Sequence, residues 1–234
     1  MDGILLIDKP KGWSSFDVIR KLRGSLREQA NSSDTKAKIK MGHAGTLDPL
    51  ATGLLVVLIG KATKQQQDFM KLDKCYEAEV TLGATSTTDD AEGDLSNYQE
   101  PDIDPPQKED LLAVIDKLKG EIEQVPPRHS AIKIDGQRAY KRARNGEEVE
   151  MPPRKVKVYG YKDIQYDYPL ISFRVEVSSG TYIRSLARDI GEQLGTGGYL
   201  SALRRTSIGE FNVDYAISPE ADSGDLVSRI ITDQ

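Results

Sequence analysis

Residues 42–59 read GHAGTLDPLATGLLVVLI, a glycine loop that runs into six apolar residues. The run LLVVLI (54–59) is typical of a strand covered on both faces. The loop before it holds Gly42, Gly45 and Gly53, one of the chain's two histidines, His43, and an Asp48-Pro49 step. Glycine loops usually cradle phosphate with backbone N–H groups, and a P-loop then needs Lys-Ser/Thr directly after its last glycine. Here the nearest Gly-Lys pair is Gly60-Lys61, and Ala62 stands where the magnesium-binding hydroxyl would be. The G-x-G-x-x-G dinucleotide pattern is absent from the stretch. The loop is built around a carboxylate, and nucleotide phosphate does not account for it.

Taken alone, Asp48-Pro49-Leu50-Ala51 reads as a helix N-cap with proline at the first helical position. The surrounding glycines shift that reading, because they allow another backbone or a flat ligand to approach closely. His43 is open to three roles: a base, a stacking ring or a satisfied polar group. His43 and His129 stand far apart without a supporting ligand cluster, so no metal is expected.

Working outward, GILLIDKP (3–10) reads as a buried strand stopped by Pro10. Ser14 or Ser15 can cap a helix to about Leu26, with Val18, Ile19 and Leu22 facing inward. Residues 61–71 and 107–119 read as helices, and 75–82, 155–165 and 171–178 as strands. The segment 85–106 reads as a long acidic, threonine-rich loop. TYIRSLARDIGEQLG (181–195) has the clearest helical period, with Ile183, Leu186, Ala187, Ile190 and Leu194 on one face and Gly195 as the stop. Strands and helices alternate without a βαβ period, which gives an α+β class.

The 234 residues are 38% hydrophobic and 29% charged, as in soluble globular proteins, and no apolar run approaches the roughly 18 residues of a membrane span. A lone cysteine, Cys75, excludes internal disulfides and a cysteine zinc site, and cytoplasm is the expected compartment. Net charge is −5, but residues 85–110 carry −8 and residues 214–234 carry −4, leaving +7 on the rest. Six basic residues fall between Arg128 and Arg144 against one acid, Asp135, so that part can meet a polyanion.

Two further residues break local rules. With Thr181 as the N-cap, Arg184 falls at the third helical position, where a cation opposes the helix dipole. That placement asks for an anionic partner, a carboxylate or a phosphate. Tyr76 alternates with Ala78 and Val80, which makes it a core aromatic whose hydroxyl needs a partner if buried.

Together these motifs resemble the TruB-type tRNA pseudouridine synthases along almost the whole chain. GILLIDKPKGWSSFDVIRKLR is similar to the first family motif, which includes Lys9-Pro10, and GHAGTLDPLATGLLVVLIGKATK to the second. KCYEAEVTLGATSTTDDAEG resembles the tyrosine segment, and QVPPRHSAIKIDGQRAYKRARNGEEV the segment that grips the RNA. VSSGTYIRSLARDIGEQLG and LRRTSIGEF resemble the arginine and apolar-residue motifs.

The resemblance implies the pseudouridine synthase fold, a mixed and largely antiparallel central sheet flanked by helices and RNA-gripping loops. It implies isomerisation of a specific uridine in the T loop of tRNA, by base flipping, without a cofactor. It assigns Asp48 as the catalytic carboxylate, acting at C1′, at C6 or on a ribose proton, with Tyr76 stacking on the uracil and Arg184 holding the carboxylate ionised. It assigns His43 to the space left by the flipped base, Leu203 to the underside of the base, and Lys9, Lys133 and Arg144 to the site or the RNA. The expected organisation is a catalytic domain over 1–213 with an RNA-gripping segment at about 127–151. The chain ends about where the family's PUA module would begin, so 214–234 is expected to be a short acidic tail with no PUA domain. The expected partner is the tRNA T stem-loop, with no guide RNA and no membrane, and a monomer is the default state.

Overall fold

The structure, a computed structural model, describes residues 1–29, 39–98, 104–130, 132–134, 136–139, 142 and 151–232. In chain order the first elements are β1 (Gly3–Lys9), α1 (Ser15–Gln29), β2 (Met41–His43), β3 (Thr52–Ile59), α2 (Gln66–Lys71) and β4 (Lys74–Leu82). There follow β5 (Ala84–Ser86), β6 (Leu95–Asn97), α3 (Lys108–Lys117), β7 (Gly120–Gln124), β8 (Lys133–Ile134) and β9 (Gln137–Arg138). The last are β10 (Arg154–Asp167), β11 (Leu170–Val177), α4 (Ile183–Gln193), β12 (Gly198–Ile208), β13 (Phe211–Asn212) and α5 (Ser223–Ser228). This is a mixed α+β fold, as the element pattern implies, with a mostly antiparallel sheet, as the resemblance implies. Among the described residues no helix is long and apolar enough to cross a membrane.

The chain forms two compact units, Met1–Tyr76 with Leu203–Gln234, and Glu77–Ala202. In the first, β1 runs antiparallel to β3 with Ile4 opposite Leu58 and Lys9 opposite Gly53. Strand alternation gives each of the two strands two apolar faces. Leu5, Ile7, Leu55, Val57 and Ile59 pack with Val18, Ile19, Leu22 and Leu26 of α1. Ile4, Leu6, Leu54, Val56 and Leu58 pack with Ala44, Ala62 and Ile208. The continuous apolar runs therefore mark strands covered on both sides. Ser14 and Asp17 exchange reciprocal hydrogen bonds at the start of α1, the expected cap.

The expected helix over 61–71 is divided. Residues Gly60–Gln65 form a 3-10 turn before the short α2, and Asp2 Oδ1 accepts from the Lys61 N–H at 2.8 Å, fixing that tighter start. The acidic C-terminal segment is docked on the fold through its apolar residues. Leu226 is buried in the α1 cluster, Ile217 pairs with Ile7, and Ile231 pairs with Ile4. Apolar residues spaced among the acids (Ile217, Ala221, Leu226, Val227, Ile230) dock this segment on α1 and β1 while Asp214, Glu220, Asp222 and Asp225 face out.

In the second unit the order is β12, β4, β11, β10, β7. Strand β10 pairs antiparallel with both β11 and β7. The inward faces of β4 (Ala78, Val80, Leu82), β11 (Ile171, Phe173, Val175, Val177) and α4 (Ile183, Leu186, Ala187, Ile190) are buried. The segment expected as one long loop instead folds back over 84–97 as the hairpin β5–β6. Thr87 N–H donates to Asp94 O and a 2.5 Å bond joins Ser86 Oγ to Asp90 O, so hydroxyls and backbone order a stretch that reads as loop by composition.

Candidate active site

Asp48 opens a turn, with the Ala51 N–H donating to Asp48 O at 3.1 Å, and the chain then enters β3. No helix follows, so the capping role does not apply. The carboxylate-bearing residue is half-buried. Both of its neighbours are held from α1 and β1. Ser15 Oγ accepts from the Leu47 N–H at 2.8 Å and donates to Leu47 O at 3.0 Å. Lys9, fully buried, donates from Nζ to Trp13 O at 2.6 Å, Pro10 O at 2.9 Å and Pro49 O at 3.5 Å. The Gly12 N–H adds a 2.8 Å bond to Pro49 O. A buried ammonium is tolerated only when its donors are satisfied, and three carbonyls do so here.

Of the two approaches the glycines were expected to allow, another backbone or a flat ligand, the described residues show the first at Gly53. A Cβ on Gly53 would lie 2.3 Å from the Arg205 carbonyl oxygen, and one on Gly45 would lie 3.4 Å from Arg205 Nη1. Strand β12 runs parallel to β3 at this point, Arg205 opposite Gly53. Arg205, 1% exposed, donates from Nε to Leu54 O at 2.8 Å and from Nη2 to Gly45 O at 3.1 Å. The open sides of Gly45 and Gly53 are filled by this chain's own arginine. Sequence reasoning missed Arg205. The available signal was the double arginine in LRRTSIGEF, but β12 alternation counted from buried Leu200 would turn Arg205 outward.

His43 ends β2 and is half-buried. Its Nδ1 is buried without a hydrogen-bond partner among the described residues. Burial, reinforced by the Arg205 charge and opposed by a backbone bond to Gly45, lowers its pKa below the usual value, so it is a neutral ring at pH 7. Leu203, half-buried on β12, accepts a 3.4 Å bond at its carbonyl from Thr52 Oγ1. Tyr76 is buried on the same face of β4 as Lys74, in the alternation expected. Lys74 is a second residue missed. Its Nζ donates to Met70 O at 2.7 Å and to Leu72 O, and burial, then Arg205, depress its pKa to about 8.

In the second unit Arg184 is 5% exposed in the first turn of α4. The N-cap is Tyr182, one residue later than expected. Gln124 sets that start by accepting from the Tyr182 N–H at 2.8 Å and donating to Tyr182 O at 3.1 Å, while Thr181 Oγ1 turns back to Ser178 O. The anion that the helix position asks for is present within the unit: Asp90 Oδ2 lies 3.3 Å from Arg184 Nη1. Arg184 also donates to Thr88 O at 3.0 Å and His129 O at 3.1 Å. Asp90, 2% exposed, accepts from Thr88 Oγ1 at 2.5 Å and the Glu92 N–H at 3.0 Å. Asp90 was not singled out in the sequence, where it stood among many acids. Lys133 lies on the short strand β8, and Arg144 lies outside the described residues.

Lys9, Asp48, His43, Leu203 and Tyr76 thus belong to one unit, the first four within a loop and strand junction organised by Arg205, and Arg184 belongs to the other. The TruB family pseudouridylate synthase N-terminal domain model matches residues 33–183, and the tRNA pseudouridylate synthase B C-terminal domain model matches 184–221. The tRNA pseudouridine synthase B of Ralstonia pickettii is 46% identical over 223 residues, with 94% of this chain and 66% of that protein covered. That of Clostridium kluyveri is 43% identical over 232 residues, covering 99% and 76%. The chain therefore spans about two thirds to three quarters of the length of these relatives. A solved Cbf5-Nop10-Gar1 complex contains a similar chain, with TM-score 0.66, 30% identity, and 92% of this chain and 52% of that one covered. The matched models take in the Asp48 loop, the Tyr76 strand and the Arg184 helix, and the chain belongs to the TruB family of pseudouridylate synthases.

Proposed function

We propose that this chain isomerises a uridine in the T loop of tRNA to pseudouridine, with Asp48 as the catalytic carboxylate. The reaction breaks the bond between ribose C1′ and uracil N1, turns the base, and rejoins it through C5. It is redox-neutral, and uracil's C5 proton is exchanged for one at N1. The target base must leave its stack to reach the carboxylate. The observation that carries this reading is the mounting of Asp48. A half-exposed carboxylate stands on a turn whose flanking residues are bonded by the buried Lys9 and Ser15. Such mounting fixes the backbone that carries a reacting group.

The neutral ring of His43 suits a role beside RNA bases, where a flat surface stacks and no charge is required. Tyr76 is the stacking partner of the uracil and Leu203 lies under it. Arg184 supplies a guanidinium that favours an ionised carboxylate. The basic segment around Lys133 and Arg144 grips the RNA backbone. The T stem-loop is the recognised element, no guide RNA is needed, and the enzyme acts as a monomer.

The test is tritium release from tRNA labelled at uracil C5, with neither nucleotide nor metal added. Wild type should release tritium, and Asp48→Asn should release none while binding tRNA within a few-fold of wild type. Activity of Asp48→Asn within tenfold of wild type would refute the role of Asp48.

A further inference from the structure

Helix α4 carries Arg184 and Arg188 one turn apart on one face, and consecutive residues Asp89 and Asp90 answer them. Consecutive side chains of an extended segment point to opposite sides, so neighbours do not ordinarily serve successive turns of one helix. Here Asp89 has φ +61°, in the left-handed region that Asp tolerates better than most residues. With the chain turned in this way, Asp90 Oδ2 sits 3.3 Å from Arg184 Nη1 and Asp89 Oδ2 2.9 Å from Arg188 Nη1. Arg188 is itself fixed: its Nη2 donates to Val125 O at 2.9 Å, and Nε and Nη2 both donate to Asp189 Oδ1, at 3.1 and 2.9 Å. The Leu200 N–H donates to Asp89 O at 3.1 Å, so the turn is tied to β12 as well.

We propose that the Asp89–Arg188 pair is a positioning device for Arg184. This rests on the reading that Arg184 takes part in the chemistry. Two of the oxygens that orient the Arg184 guanidinium, Thr88 O and Asp90 Oδ2, belong to the same turn. Where that turn sits on α4 decides where the guanidinium points. The Arg184–Asp90 contact alone is a pivot. A second ion pair one helical turn away, about 5.4 Å along the axis, removes the rotation. Neither Asp89 nor Arg188 is assigned a contact with the reacting base, and a displacement of about 1 Å in a supporting group can cost on the order of a hundredfold in rate.

Both partners are largely buried, with side chains 21% and 17% exposed, so the pair is less screened than a surface one. Burial raises the pKa of Asp89, Asp90 and Glu192 add to the rise, and Arg188 and Arg184 oppose it. Asp189, whose pKa is also raised by burial, shares Arg188, and Glu123 and Arg128 line the same cleft. The clamp should therefore loosen at a less acidic pH than a surface aspartate would titrate.

The test uses Asp89→Asn, which keeps shape and tolerance of positive φ, with Arg188→Gln and the double variant. Single-turnover rate, RNA Kd and Tm are measured on the whole protein. Each single variant should lose about tenfold or more in rate with Kd within about twofold, and the double should be no worse than the poorer single, since both break one link. The acid fall in rate of wild type should also flatten in Asp89→Asn. Wild-type rates in both singles, whatever their Tm, would overturn the proposal, as would losses that multiply in the double. Asp48→Asn and Arg184→Lys run in parallel. If they are inactive while the clamp variants are normal, only the clamp fails; if they retain wild-type rates, the underlying reading of the site fails.

Discussion

Replacing Gly53 with alanine should damage this protein more than any steric argument from the loop sequence suggests. Gly53 has φ +96°, and an added Cβ would lie 2.3 Å from the Arg205 carbonyl oxygen and 2.8 Å from its nitrogen. Both contacts are backbone, so no side-chain rotation relieves them. Gly53 is also paired with Lys9 on its other edge, so moving away from β12 disturbs β1. Forcing a methyl into a packed site costs about 1–3 kcal/mol, and a non-glycine residue at positive φ about 1–2 kcal/mol. The sum, about 2–5 kcal/mol, corresponds to a Tm loss of about 4–20 °C at roughly 2–4 °C per kcal/mol. Gly120→Ala is the matched control. It has φ +81° with nothing within 4 Å of its Cβ, so only the conformational cost of about 1–2 kcal/mol applies. Thermal melts of both variants by circular dichroism decide the matter. Gly53→Ala should also lose turnover, because Arg205 carries the Gly45 and Leu54 carbonyls with it. If Gly53→Ala melts no lower than Gly120→Ala, the close approach of β12 is not what glycine is there to permit.

Arg184→Lys should lose most turnover, since a point charge cannot reach Asp90 and two carbonyls at once; full activity in a tritium-release assay would make Arg184 peripheral. Lys74 has a folded-state pKa of about 8 against an ordinary 10.5, so between those values the unfolded chain binds more protons and stability should rise with pH. Denaturation of wild type and Lys74→Met from pH 7 to 10.5 should show this rise in the wild-type-minus-variant difference, and a flat difference would refute it. An isolated T-arm hairpin should be modified with kcat/KM within about a hundredfold of intact tRNA, roughly 2.7 kcal/mol; a larger deficit would reveal another tRNA-binding surface.

What could be read from the sequence followed from side-chain periodicity. GILLIDKP (3–10) implied a buried strand and the run 54–59 a strand covered on both faces, and in both alternate residues enter separate clusters. The apolar stripe of 183–194 implied α4, and Tyr76, Ala78 and Val80 are buried together as their spacing required. The docking of the C-terminal segment was hidden because five acids are interleaved with the apolar residues that dock it. The turn at 87–94 was misread because charge density resembles a solvated loop, whereas Asp89 and Asp90 are spent on two arginines nearly a hundred positions away. Composition counts charges without showing which are paired.

The deeper reason that the site's supports were hidden is the kind of partner they have. Lys9 bonds to the carbonyls of Pro10, Trp13 and Pro49, Arg205 to those of Gly45 and Leu54, and Ser15 to both backbone groups of Leu47. A carbonyl is the same at every residue, so such a bond leaves no complementary residue type for a sequence reader to find. It also fixes backbone rather than side chains, which is what a loop presenting one carboxylate requires. Lys9 and Ser15 act on the residues either side of Asp48, and Arg205 acts on the start of the loop and the first apolar residue of β3. Three buried polar side chains, two from the first fifteen residues and one from β12, thus locate the turn that presents Asp48.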